Sequence, residues 1–319
     1  GGPRQDDAAA RLLQAQLCAC DALLAGLCEA LYEGPRGPRL QACGAALAAL
    51  FLHAGRAAPL LCFVADLEAD RLGDLAQPSL LQAAAARTAA AYRAFLRTTV
   101  GGLVSSIVAD DLQVEIDEDR LEDVTRAKLL RNAQWLTDLA AKAMDQLAAC
   151  LPASLPSALT QGLQFAAKEK EQMVAPLLVA GILAPAIEDP VASGLLEDMP
   201  SSKVRRTLAL LADVLAKLGK EALFYQKGPA YTTVDAFIMK RTTAFRQAVQ
   251  EAVLAAAPAE ADADQEEALI PWSAVQSSWR ELAEVMARKQ DFIEDYIGEE
   301  PSVHTLEWTL ADLAEGALV

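Results

Sequence analysis

Few side chains in this sequence are of the kinds that carry out chemistry, and their positions restrict what they can do. The two histidines, His53 and His304, stand near opposite ends of the chain. A His-based catalytic triad, a His-rich zinc centre and a haem site with a supporting imidazole network are all disfavoured. Six cysteines are present, Cys18, Cys20, Cys28, Cys43, Cys62 and Cys150, and none forms a Cys-x-x-Cys pair. All lie in Ala- and Leu-rich helical text, where a free thiol acts as a small hydrophobe, so buried structural thiols are expected. Unpaired thiols and the lack of a signal peptide point to a reducing, intracellular setting. Glu115, Asp117, Glu118, Asp119, Glu122 and Asp123 crowd one stretch. A calcium loop of the EF-hand type needs Gly at its sixth position, and counting from Asp117 places Glu122 there. The stretch reads as a solvated, flexible connector, and no metal site is expected. A P-loop, a Gly-x-Ser-x-Gly elbow, a His-Glu-x-x-His helix and a dinucleotide fingerprint are all missing, so no cofactor is expected.

The elements that must position any site are helices. Of 319 residues 53% are hydrophobic but only 5% aromatic, and the apolar share is mainly Ala, Leu and Val. Ala and Leu are strong helix formers, and 17 Gly and 15 Pro punctuate the chain. An all-α fold follows. The 28 basic and 44 acidic residues leave a net charge of −16, a field that disfavours nucleic acid and anionic membranes as partners and favours a basic protein surface. The longest apolar stretch, 173–187, is interrupted by Pro176 and Pro185 and is too short to cross a bilayer, so it reads as a buried core helix. Because the chain opens Gly-Gly, it is expected to be a piece of something longer.

Helices are expected over 7–32, 40–53 and 60–71, and one or two more over 79–109, with Gly101-Gly102 as the place for a break. Leu129, Ala133, Leu136, Ala140, Ala143 and Leu147 repeat at spacings of three and four, which predicts a long amphipathic helix ending at Pro152. The most hydrophobic helix lies within 156–184, closed by Ala184-Pro185-Ala186. Val204, Leu208, Leu211, Leu215 and Leu218 form the next stripe, opened by Ser201 or Ser202 and closed by Gly219. Thr232 and Asp235 have the spacing of a capping box for a helix reaching Ala257. Residues 258–268 have the composition of an acidic linker, and two more helices are expected over 273–297 and 302–317.

The order of these segments resembles the Ras GTPase-activating (RasGAP) domain family. An apolar helix ending in Ala184-Pro185-Ala186-Ile187 is followed by Lys203-Val204-Arg205-Arg206-Thr207-Leu208 opening a helix, then by Lys220 to Phe224, then by Thr233-Val234-Asp235-Ala236-Phe237-Ile238. Residues 96–111, Leu129-Leu130-Arg131-Asn132, 268–292 and Glu299-Glu300-Pro301-Ser302-Val303 are similar to the IQGAP branch, whose related domain binds Rho-family GTPases without accelerating hydrolysis. The resemblance spans about residues 40–319 and implies a RasGAP-like central helical domain over 41–257. An N-terminal helix (1–40) and C-terminal helices (269–319), beyond the acidic linker at 258–268, are expected to form an accessory subdomain.

In that family an arginine finger offsets charge developing on the transferred phosphoryl group, an effect of about 10³–10⁵ in rate. The finger follows a Leu-Phe pair. Here Leu50-Phe51 is followed by Leu52, which has neither donor nor charge. The second arginine, four residues ahead of the proline, is replaced by Gly181. The resemblance therefore implies a pseudo-GAP rather than an enzyme. Arg56, four residues beyond the finger position, is the nearest cation, and His53 is read as a loop or half-buried residue. Phe51, Gly181, Ile187, Lys203, Arg205 and Arg206 are the candidate partner-binding residues, beside a degenerate finger loop of Leu52, His53 and Arg56. The expected partner is a Rho- or Ras-family small GTPase, or other proteins of a cytoskeletal assembly, in a cytoplasmic, cytoskeleton-associated setting. The alternatives are a structural module of a cytoskeletal or ciliary complex with GTPase binding lost, and an active GAP using Arg56.

Overall fold

The computed structural model describes residues 14–15, 17–18, 21–33, 38–54, 56–70, 89–120, 125–169, 171–226, 228–256, 282 and 284–297. Of these, 83% are helical and none is in a strand, so the fold is all-α. The linker expected over 258–268, the helix expected over 302–317, His304 and Cys20 lie outside the described residues. In chain order the helices are α1 (Asp21–Glu33), α2 (Pro38–His53), α3 (Ala57–Asp70), α4 (Ala89–Leu96), α5 (Gly102–Ala109), α6 (Arg126–Ser154), α7 (Ser157–Glu169), α8 (Ala184–Glu188), α9 (Ser202–Lys220), α10 (Pro229–Ala255) and α11 (Gln290–Ile297). Two π-helical segments, Arg97–Gly101 and Pro176–Leu183, run directly into α5 and α8.

The chain divides into two compact units, one of residues 1–67, 76–88 and 261–319, the other of 68–75 and 89–260. This division differs from boundaries at 41 and 257, because α2 and most of α3 group with the terminal helices. In the first unit α1 packs on α11, at a close approach that Gly26 permits: a Cβ there would lie 3.3 Å from the Tyr296 ring and 3.5 Å from Ile293. Ala46, Leu47, Ala48, Ala49 and Leu50 are all buried in succession. A helix buried at five consecutive positions is enclosed on every side, as the apolar text of α2 predicts.

The second unit is built around α9, which packs on the second π segment, α8, α10, α6 and α5. Its stripe of Val204, Leu208, Leu211, Leu215 and Leu218 is wholly buried, and the Ser201 hydroxyl caps its start by accepting from the Val204 N–H at 3.3 Å. Helix α6 packs along α10 and buries each of the six positions that its sequence spacing selects. Thr125 caps it, accepting from the Lys128 N–H.

Four local expectations are corrected. Helix continuity survives Gly101-Gly102: a π turn leads through a buried Gly101 into α5. Pro185 does not end its helix, which runs on to Glu188. A proline ring crowds the carbonyl four residues back, and here the preceding turns are widened, with the Ala184 N–H donating to Val179 O, five back. Gly219 is not the terminal cap of α9. The left-handed residue is Glu221 (φ 57°), whereas Gly219 lies against the second π segment, where a Cβ would stand 3.2 Å from both Ala175 O and Val179 Cβ. Thr232 and Asp235 form no capping box. Helix α10 starts at Pro229 after Gly228 with no side-chain cap. The Asp235 carboxylate instead accepts from the Phe224 and Tyr225 N–H groups of the preceding loop.

Candidate functional site

Leu52 is the penultimate residue of α2, and His53, half-buried, ends that helix. The turn that follows is closed by the Arg56 N–H donating to Phe51 O at 2.7 Å. The Arg56 side chain is exposed, and its guanidinium donates to the backbone carbonyl of Cys18 within the same unit. Burial raises the Cys18 thiol above its ordinary value, with the Arg56 charge pulling the other way. Phe51 is 3% exposed and belongs to the core of this unit, so its ring is not a surface contact.

Gly181 and Ile187 belong to the second unit. Gly181 is buried inside the second π segment and Ile187 is fully buried in α8, so neither offers surface to a partner. The two arginine positions that the resemblance implies, Leu52 and Gly181, thus fall in different units. Lys203 and Arg205 are exposed in the first turn of α9. Arg206 is committed inside the molecule: Nε donates to Glu115 Oε2 at 2.9 Å and Nη2 to Glu115 Oε1 at 3.2 Å. Burial works against the Arg206 charge, but the hydrogen bonds and charge of Glu115 outweigh it and hold the guanidinium above its ordinary value.

Glu115 belongs to the acidic stretch, which is pinned over 112–117 rather than loose. Val114 and Ile116 are buried. The Val114 N–H donates to the Thr207 hydroxyl at 2.8 Å, and that hydroxyl donates to Leu112 O at 2.9 Å. Asn132 donates to Glu115 O at 2.7 Å. Two apolar side chains inside an acidic run supply the anchor, and polar residues on α6 and α9 satisfy the backbone. Beside this loop, Glu118, Arg126, Leu129 and Pro229 line an open cavity of about 520 Å³. Tyr231, 7% exposed, has its phenol pushed up by burial and by the charge of Asp117.

Sequence reasoning passed over Asn132 and Thr207. The available signal was register: Asn132 stands three residues after Leu129, and Thr207 three after Val204, both on faces that the apolar stripes mark as inward. It also passed over Tyr225, which is 82% exposed with φ 55°. The left-handed region is an unusual place for an aromatic residue, and the Asp235 carboxylate holds it there.

No group of three or more His, Cys, Asp or Glu among the described residues is arranged to hold a metal. Cys28 and Cys43 are buried and Cys18, Cys62 and Cys150 half-buried. No helix among the described residues is long and apolar enough to cross a membrane. Comparison of the chain with models of known protein families and with curated proteins gives no match.

Proposed function

We propose that this chain is a RasGAP-related helical domain of the IQGAP type that has lost arginine-finger chemistry and acts through protein contacts, with a Ras- or Rho-family small GTPase as its partner in a cytoskeletal assembly. The observation that supports this reading is the state of the cation nearest the finger position. Leu52 has no donor, and Arg56 spends its guanidinium on the Cys18 carbonyl of its own unit. At the second arginine position stands Gly181, buried and without a side chain. A missing finger removes about 4–7 kcal/mol of transition-state stabilisation, which no neighbouring neutral group replaces. Lys203 and Arg205 remain as exposed anchors for acidic groups on the partner.

The test is binding and turnover on the same samples. The chain is expected to bind GTP-locked but not GDP-locked Ras- or Rho-type GTPase, and to leave single-turnover GTP hydrolysis at its intrinsic rate with or without Arg56→Ala. Acceleration by the wild-type chain that Arg56→Ala abolishes overturns the non-catalytic reading. Absence of binding in both nucleotide states favours a second reading, a structural helical module that no longer recognises a GTPase. The burial of Phe51 and Ile187, two of the nominated contacts, favours that reading.

A further inference from the structure

Helix α6 begins against the electrostatic preference of a helix. Its first turn contains no acidic residue, and Arg126, Lys128 and Arg131 fall within its first six positions. The N-terminal end of a helix carries a partial positive charge, so each cation placed there costs stability, about 0.3–1 kcal/mol when exposed. Local rules broken without a structural return are expected where a surface has another use.

These cations are also organised. At 100° per residue, Lys128, Arg131, Trp135 and Lys142 fall within an arc of roughly 60° and span about 21 Å of helix. All four are exposed, Trp135 by 45%. Among the described residues, Lys128, Arg131 and Lys142 form no ion pair, in a chain with 44 acidic side chains. Asp138 stands at the edge of the stripe, and its carboxylate accepts from Gln134. The result is an indole flanked along one helix face by three cations that have no ion-pair partner among the described residues, the combination of aromatic and basic anchors that concentrates binding energy at protein interfaces.

We infer that this face of α6 is a docking site for an acidic segment of a partner protein, one that carries an apolar side chain to cover Trp135 between its carboxylates. The charge of the face selects the occupant. An extended segment of about six residues matches its length. Such a short segment feels chiefly the local field, because charges farther than about 8 Å are screened at physiological salt. A nucleic acid or an anionic membrane presents a broad surface to the whole molecule, whose net charge of −16 repels it. The inference does not depend on the GTPase reading.

The experiment titrates the full chain with a fluorescein-labelled twelve-residue peptide of Asp and Glu with two central Leu residues, followed by anisotropy. Matched titrations use the same peptide with Lys in place of the acids, and vesicles of phosphatidylserine and phosphatidylcholine. Binding of the acidic peptide is expected, weakening by about tenfold or more in Trp135→Ala and in Arg131→Glu/Lys142→Glu. Lys240→Glu/Arg241→Glu makes the same charge change on exposed positions of α10 and is expected to leave affinity within about twofold. Circular dichroism establishes that each variant is folded; should Trp135→Ala lose helix, Trp135→Gln serves in its place. The inference is overturned if the acidic peptide does not bind, if the basic peptide or the vesicles bind as well, or if the α10 pair weakens binding as much as the α6 pair.

Discussion

At the residue scale, the positions that matter most are ones whose role depends on a neighbour distant in sequence. Gly219 looks like a helix terminator, and its actual constraint is the approach of Ala175 and Val179. Alanine is the better helix former by about 1 kcal/mol, yet its methyl would meet the Ala175 backbone oxygen and Val179 Cβ at 3.2 Å, so that backbone would have to give way. Gly219→Ala is therefore expected to destabilise the protein by about 1–3 kcal/mol in urea unfolding; a stabilised variant would show that the second π segment yields. Thr242 is 4% exposed and its hydroxyl has no hydrogen-bond partner among the described residues. Thr242→Val keeps the shape and removes the unpaired group, so an increase of up to about 1 kcal/mol is expected in the same measurement. The sequence shows that Gly219 and Thr242 stand on an inward face, but not what they face. That requires the packing of α9 and α10 against other elements.

At the element scale, apolar periodicity made α6 and α9 legible, because a stripe at spacings of three and four has one physical solution in a helical protein. The stretch 112–117 was not legible, since its charge count speaks for solvent while Val114 and Ile116 bind it to the core. Thr207 is the fastening. Thr207→Val leaves the buried Val114 N–H without an acceptor, at a cost of about 1–3 kcal/mol, and is expected to speed hydrogen exchange at residues 114–117 while the centre of α6 remains protected. Equal exchange in variant and wild type would assign the anchoring to the apolar pair alone. The end of α8 makes a second element-scale prediction. Burial, then the charges of Asp213 and Asp189, raise the Glu188 carboxyl, and Asp213 is raised by burial despite Lys217, Arg206 and Lys220. A carboxyl whose folded value exceeds its unfolded one lends stability that is complete below about pH 4 and is lost as pH rises through the folded value. Glu188→Gln is thus expected to raise the unfolding midpoint at neutral pH and to leave it unchanged below about pH 4. A constant difference at every pH would point to a steric cause.

At the scale of the whole molecule, the net charge of −16 is unevenly placed. Residues 68–75 and 89–260 carry 19 basic and 24 acidic side chains, and the remainder of the chain carries 9 and 20. Most of the net negative charge therefore belongs to the unit that does not contain α6 and α9, which a single net-charge figure conceals. Salt screens self-repulsion, so raising sodium chloride from about 20 to 300 mM is expected to slow hydrogen exchange in α1 and α2 more than in α9 and α10; equal slowing would count against this division of charge. The fixed outward posture of Tyr225 gives the molecule a built-in chemical beacon. Nitration should mark that phenol well before the enclosed Tyr92 and Tyr231. Tyr296, 49% exposed, is a second target, so loss of reactivity read on the peptide that contains Tyr225 would reveal whether the companion molecule lies across this corner or leaves it bare.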